Sequence, residues 1–191
     1  MYERFFKRAF DIVFATLLLI VFIIPIVIIG VTIKLSDSGT PFFVQKRYGR
    51  DDKQFSLIKF RTMRMGTPIV ANSEFRDMDS YVTLLGKFFR ETSLDEIPQI
   101  FNVIRGEMSF IGPRPLADTD YEVVKLRSKN GANNVRPGIT GLAQVKGRNK
   151  LSNFEKSQFD GQYANNISLW LDVKIVFLTI FKVLKQENIN K

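Results

Sequence analysis

The chain has 191 residues, with 28 Lys and Arg against 19 Asp and Glu, and it contains neither His nor Cys. Disulfides, thiolate nucleophiles, serine–histidine hydrolases and histidine-ligated zinc enzymes are thereby excluded, leaving carboxylates, amines, guanidinium groups, hydroxyls or an oxygen-held ion such as magnesium. The net charge of +9 favours an anionic partner, whether nucleic acid, an anionic membrane surface or a phosphorylated substrate.

From Ile12 to Ile33 there are 22 residues without a charge, most of them Ile, Val, Leu or Phe. Roughly 20 such residues suffice to cross the hydrocarbon core as a helix. Lys34-Leu35-Ser36-Asp37 after the run is no small-residue cleavage site, which argues against a signal peptide. Membrane association of residues 1–36 is therefore predicted. Arg4, Lys7 and Arg8 precede the run and a basic region follows it, so both flanks prefer the cytoplasmic face. Pro25, near the middle, removes a helix hydrogen bond and clashes with the preceding turn. A break there gives a re-entrant hairpin in one leaflet; a kinked transmembrane helix is the other reading.

Residues 37–191 form the second unit. Ser38-Gly39-Thr40-Pro41 reads as a turn. Phe42 to Lys46 and Gln54 to Phe60 then read as two strands of a hairpin around a charged loop. Between Gln45 and Met65 stand Lys46, Arg47, Arg50, Lys53, Lys59, Arg61 and Arg64 against Asp51 and Asp52. This cationic surface faces lipid headgroups, lines a phosphate site, or is simply solvated. Gly66 to Asp79 reads as irregular. Tyr81 to Arg90 has helical spacing, with Leu84, Leu85, Phe88 and Phe89 on one face. A second helix is expected to start around Ser93, with Ser93…Glu96 as a capping box and Pro98 in the first turn.

Arg114 stands between Pro113 and Pro115, which restricts the backbone around its guanidinium. Val135 to Asn149 holds Gly138, Gly141 and Gly147 among Arg136, Lys146 and Arg148. Glycines let backbone N–H groups approach an anion, and Arg supplies a forked donor to phosphate. No complete Walker or dinucleotide fingerprint is present. The stretch Ser168 to Gln186 is amphipathic, and reads equally as an interfacial helix or as a helix packed on the core.

Asp95 and Glu96 are adjacent acids at a predicted helix start, where exposed N–H groups favour a negative charge. An ionised carboxylate there can attack phosphorus, or two acids can share magnesium with substrate phosphates; simple capping is the alternative. A membrane dip, an acidic pair, a cationic surface and Gly/Arg loops together suit an enzyme joining a phosphorylated donor to a lipid acceptor.

In its ordered motifs the whole chain resembles the bacterial sugar transferases, small monotopic phosphoglycosyl transferases. The resemblance rests on Lys7-Arg8…Phe10-Asp11, Gln45-Lys46-Arg47…Gly49, Lys59-Phe60-Arg61-Thr62-Met63 and Thr92 to Gln99. It continues through Asn102-Val103…Gly106-Glu107-Met108-Ser109, Gly112-Pro113-Arg114-Pro115, Val135 to Val145, Gly147-Arg148-Asn149, Asp160…Tyr163 and Leu171-Asp172. It implies transfer of a sugar 1-phosphate from a UDP-sugar to undecaprenyl phosphate with release of UMP, magnesium-dependent and ping-pong, as the first membrane step of capsule, O-antigen or glycoprotein glycan assembly. It implies Asp95 as nucleophile and Glu96 as its partner, both near the metal. Lys59, Arg114 and Arg136 would hold phosphates, with Arg61, Gln144 and Arg148 in the same motifs as further phosphate or nucleotide contacts.

The implied fold is α+β and mostly helical. It comprises a re-entrant N-terminal helix broken at Pro25, a short β-hairpin, a small catalytic domain on the cytoplasmic face of the bacterial inner membrane, and amphipathic interfacial helices. Ile24 precedes the proline where the family often has Ser. The length leaves room for the catalytic core but not for the extra membrane domain of the large members. Gly66 to Ala71 is similar to members that use deoxy N-acetylamino sugars. A homo-oligomer is compatible with the resemblance, and no nucleic acid is expected. The competing reading is a basic, membrane-tethered nucleic-acid- or lipid-binding protein without catalysis.

Overall fold

The long apolar run folds as a single helix, α1 (Lys7–Ser36), preceded by a π-helical turn, Tyr2–Phe6. The structure is a computed structural model that describes residues 2–37, 39–68, 80–147 and 150–185. By length and composition α1 is able to cross a membrane; at 1.5 Å per residue it is about 45 Å long if straight. Pro25 lies inside this helical run.

One stripe of α1 is covered. Asp11, Ala15, Ile26, Gly30 and Ile33 are buried, and Leu18, Leu19, Phe22 and Ile29 are partly so, a spacing that keeps them on one helix face. Ala15 packs with Phe55, Leu57, Ile100 and Val103. Ile26 and Ile33 pack with Phe60 and Phe89. Both halves of the helix therefore lie against the same globular unit. The opposite face, including Val13, Leu17, Ile20, Ile24, Val27 and Val31, is bare.

The hairpin forms as expected, with β1 (Phe42–Tyr48) two residues longer than predicted and β2 (Gln54–Phe60) as predicted. The strands are antiparallel, in a register that pairs Phe43 with Lys59 and Arg47 with Phe55. Side chains alternate between faces along a strand, so Phe55, Leu57 and Lys59 share a face with Arg47. Next come α2 (Leu84–Glu91), capped by Thr83, and α3 (Gln99–Arg105), which ends at Gly106 with φ 84°, a left-handed conformation that favours glycine.

Five elements are not legible in the sequence. The strands β3 (Ser109–Ile111) and β4 (Gly138–Thr140) pair in parallel. The helices α4 (Tyr121–Ser128), α5 (Leu142–Lys146) and α6 (Asn153–Asn165) build the far side of the domain. Their contacts include α4 on α6 and α5 on α6. The pairing of β3 with β4 also gives two of the glycines a packing reason. A Cβ on Gly138 would lie 2.1 Å from the backbone N of Gly112, and one on Gly141 would lie 2.1 Å from the Gly112 carbonyl O. These glycines are there because two backbones nearly touch.

The last helix, α7 (Leu169–Leu184), is capped by Ser168 and is apolar on two sides. Ile175 is fully buried, against Tyr163, Ile111 and Leu142. Trp170 is 76% exposed, and Phe177, Ile180 and Phe181 are exposed as well. One face is thus packed on the core, as the second reading expects, and the other is apolar and exposed. A buried polar knot ties its first turn to the N-terminus. Asp172, 3% exposed, accepts from Tyr2 Oη and Lys7 Nζ on Oδ2, and from Tyr163 Oη on Oδ1, each at 2.7 Å.

Candidate active site

The acidic pair sits in the link between α2 and α3. After α2, Ser93 adopts φ 57° and ψ 18°, and Leu94–Glu96 form a 3-10 turn before Pro98 starts the next helix. The expected capping box does not form: the Ser93 side chain makes no cap hydrogen bond, and the Glu96 carboxylate turns to Lys59 instead. The physical reason is the left-handed turn at Ser93, which redirects the chain just before the acids. Such a conformation costs an L-residue roughly 1 kcal/mol. Ser93→Gly is expected to raise unfolding free energy by up to about 1 kcal/mol, read by denaturant titration; an unchanged or lower midpoint would show that the turn is unstrained.

Leu94 and Ile97 pack on Ile26, Ile33, Phe60 and Phe89, so the link rests on the C-terminal half of α1. The Glu96 carboxylate, between them in the chain, faces the hairpin. Lys59 Nζ, from β2, donates to Glu96 Oε1 at 2.7 Å, and Arg114 Nη1 lies 4.0 Å from the same oxygen. Burial is the main cause that raises the Asp95 pKa from 3.8 to about 6; Glu96 adds to it, against Lys59 and Arg90. Asp95 is therefore a carboxylate poised near neutral pH rather than one held firmly ionised by a helix terminus, which corrects the expectation from the macrodipole.

Beside the pair is a pocket lined by Arg47, Leu57, Lys59, Gln99, Arg114, Pro115, Gly138 and Ile139. Arg47, one of seven cations in the hairpin region, and Gln99, the end of a motif, are not singled out as site residues by the sequence. The alternation of the hairpin carries the signal for Arg47, since it shares the Lys59 face; nothing local marks Gln99, which only the fold buries. The Arg47 guanidinium donates to Gln45 Oε1 at 2.6 Å and lies 3.8 Å from Asp120, while its Nε is buried without a hydrogen-bond partner. Burial and the neighbouring Arg114 lower its pKa. Arg47, Lys59 and Arg114 line one wall of the pocket with cations, which suits a polyanionic ligand.

The remaining candidates lie elsewhere. Arg61 is buried and donates to the Asp37 carbonyl at 2.8 Å, fastening the end of α1 to β2. Arg136 Nε donates to the Gly106 carbonyl at 3.0 Å. With Arg8, which donates to the carbonyls of Val103 (2.6 Å) and Ile104 (2.9 Å), it caps the C-terminus of α3. Gln144 Nε2 donates to the Ile139 carbonyl at 2.9 Å, behind the pocket wall, and its Oε1 is buried without a hydrogen-bond partner. Arg148, and Ile69, Val70 and Ala71 of the loop after Gly66, fall outside the described residues. Among the described residues no group of three or more Asp, Glu, His or Cys is placed to hold a metal. The acidic pair nonetheless presents adjacent hard-oxygen donors whose repulsion a cation would relieve.

Comparison with known proteins adds independent findings. The family model described as bacterial sugar transferase matches residues 2–186. The UDP-galactose-lipid carrier transferase of Erwinia amylovora is 39% identical over 97% of this chain, which covers 42% of that protein. The UDP-glucose:undecaprenyl-phosphate glucose-1-phosphate transferase of Escherichia coli (strain K12) is 42% identical over 94% of this chain, which covers 40% of it. The exopolysaccharide production protein ExoY of Rhizobium meliloti (strain 1021) is 39% identical over 91% of this chain and 83% of its own length. The chain thus spans about two fifths of the first two relatives and most of the third.

Proposed function

This chain belongs to the bacterial sugar transferase family, and from that premise we propose that it transfers a sugar 1-phosphate from a UDP-sugar to undecaprenyl phosphate and releases UMP. The observation that carries the proposal is the adjacency of Asp95, whose pKa is raised by burial, and Glu96, held by Lys59, beside a pocket lined by Arg47, Lys59 and Arg114.

In the first half-reaction a carboxylate oxygen of Asp95 forms a bond to the β-phosphorus of the donor. The bond from that phosphorus to the bridging oxygen breaks, and UMP leaves with the electron pair. In the second, a phosphate oxygen of undecaprenyl phosphate attacks the same phosphorus and the Asp95 carboxylate is released. Lys59, Arg47 and Arg114 neutralise the donor diphosphate, and Glu96 sets the charge balance by holding Lys59. Bound magnesium, held by Asp95 and Glu96 with substrate oxygens, would supply charge neutralisation on the transferring phosphoryl group. Arg61, Arg136 and Gln144 act by bracing the surrounding chain.

The membrane placement is proposed from the covered stripe of α1. Both of its halves pack on one domain, so a straight crossing would pull that domain into the bilayer. α1 is helical through Pro25, so re-entry is proposed as a bend at that proline rather than a chain break, with the bare faces of α1 and α7 toward acyl chains. Leu84, 92% exposed on α2, belongs to the same lipid-facing set. The inner membrane, with the catalytic side cytoplasmic, follows from the basic flanks.

The decisive measurement is intact-protein mass spectrometry of the full chain with UDP-sugars and no acceptor. A phosphosugar adduct on Asp95, discharged by undecaprenyl phosphate, is expected. UMP release that always requires the acceptor, with no adduct, would favour direct transfer and remove Asp95 as nucleophile. The rate of the first half-reaction is expected to be flat above about pH 7 and to fall toward tenfold per pH unit below about pH 6, as the raised carboxyl protonates. A profile flat to pH 4.5 would contradict that assignment.

A further inference from the structure

The pocket holds Arg114 on a segment with little means of fixing itself. Its neighbours Pro113 and Pro115 carry no backbone N–H, and the guanidinium is half-exposed. Two carbonyls of the segment are held from outside. Gly138 N–H donates to the Pro113 carbonyl at 2.8 Å, and Arg127 Nη1 donates to the Arg114 carbonyl at 2.9 Å. Arg127 comes from α4, where its Nε and Nη2 both donate to Asp160 Oδ2 on α6, at 2.8 and 2.5 Å. Arg127 is 5% exposed and Asp160 1%.

A buried ion pair is poor value as mere glue between two helices, because an apolar pair of similar volume usually holds them as well or better. An apolar pair offers no N–H for a loop carbonyl, however. The rigid guanidinium fork does: two donors lock onto the carboxylate and the third is aimed outward. Neither Arg127 nor Asp160 lines the pocket.

We infer that Arg127 and Asp160 are positioning residues that fix the main chain of Arg114, so that its guanidinium is presented to the donor diphosphate beside Glu96. This rests on the transferase reading above. The pair itself touches no substrate and acts only through Arg114.

The experiment uses the full chain in lipid nanodiscs and two readouts: affinity for UDP by titration calorimetry, and kcat and KM for UMP release. Arg127→Lys keeps the charge on Asp160 and removes the fork. Arg127→Met combined with Asp160→Leu removes both charges without orphaning one, and carries the test if the lysine variant does not fold. Each is made with Arg114 intact and with Arg114→Ala. Misplacing a binding group by about 1 Å can cost up to a hundredfold. UDP affinity is expected to fall about tenfold or more in either variant and in Arg114→Ala, with no further loss on combination, because all act through one guanidinium. KM is expected to rise more than kcat falls. Wild-type affinity in the variants, or losses that multiply on combination, would overturn the positioning role and leave the transferase reading intact. A wild-type chain that neither binds UDP nor turns over any UDP-sugar would overturn both.

Discussion

Asp95→Asn is expected to lose at least about a thousandfold in UMP release while making the protein more stable at pH 8. The loss follows because an amide has no anionic oxygen to form the bond to phosphorus. The gain follows from the site's electrostatics. Burial, with Glu96 beside it, raises the Asp95 pKa from 3.8 to about 6. A carboxyl raised in this way favours the folded state in its protonated form. Its contribution is complete below about pH 4, declines as pH rises toward 6, and is absent above. At 1.36 kcal/mol per pKa unit, holding the ionised form costs about 3 kcal/mol at pH 8. Asparagine resembles the protonated carboxyl, so its stabilisation should be about 3 kcal/mol at pH 8 and near zero at pH 4. Thermal unfolding at the two pH values reads this difference. Turnover at the wild-type rate would remove Asp95 from the chemistry. A stability change equal at both pH values would show that ionisation carries no cost there.

Asp172→Ala should have the largest effect on the fold. The carboxylate accepts from Tyr2, Lys7 and Tyr163 and joins the first turn of α7 to the start of α1. Removing one partner of a buried ion pair leaves the other charge uncompensated, at about 3–5 kcal/mol. Lys7 is that charge, its side chain 11% exposed. Tyr163 is buried and would lose a hydrogen-bond partner too. Lys7→Met with Asp172→Leu should recover most of the loss, since no charge is then orphaned. Chemical denaturation of the three chains compares these outcomes. A single variant within about 1 kcal/mol of wild type would mean that water satisfies the knot.

These two residues differ in how far the sequence exposed them. Asp95 is visible at once as half of an acidic pair, yet the sequence does not show that burial raises its pKa. The local pattern suggested an exposed helix terminus, whereas the fold sets Leu94 and Ile97 into the α1 cluster and draws the acids partly out of water. Asp172 appeared only as a charge in an amphipathic stretch and as part of a motif. Its role depends on Tyr2 and Lys7, more than 160 residues away in sequence.

What the sequence determined by itself was whatever repeats over a few residues: the uncharged run of α1, the hairpin with its alternation, and the helical spacing of α2 and α7. Periodicity and desolvation act locally, so they can be read without a partner. The tertiary structure alone decided the parallel β3–β4 pair, since each strand is three residues long and carries no period of its own. It also decided α4 and α6, the meaning of the glycines, and which of the many Arg and Lys residues converge on the pocket. Arg47, Lys59 and Arg114 are brought together, while Arg61 and Arg136 are spent on backbone carbonyls. A guanidinium looks the same in a sequence whichever oxygen it will meet; only the packing of distant elements chooses the acceptor.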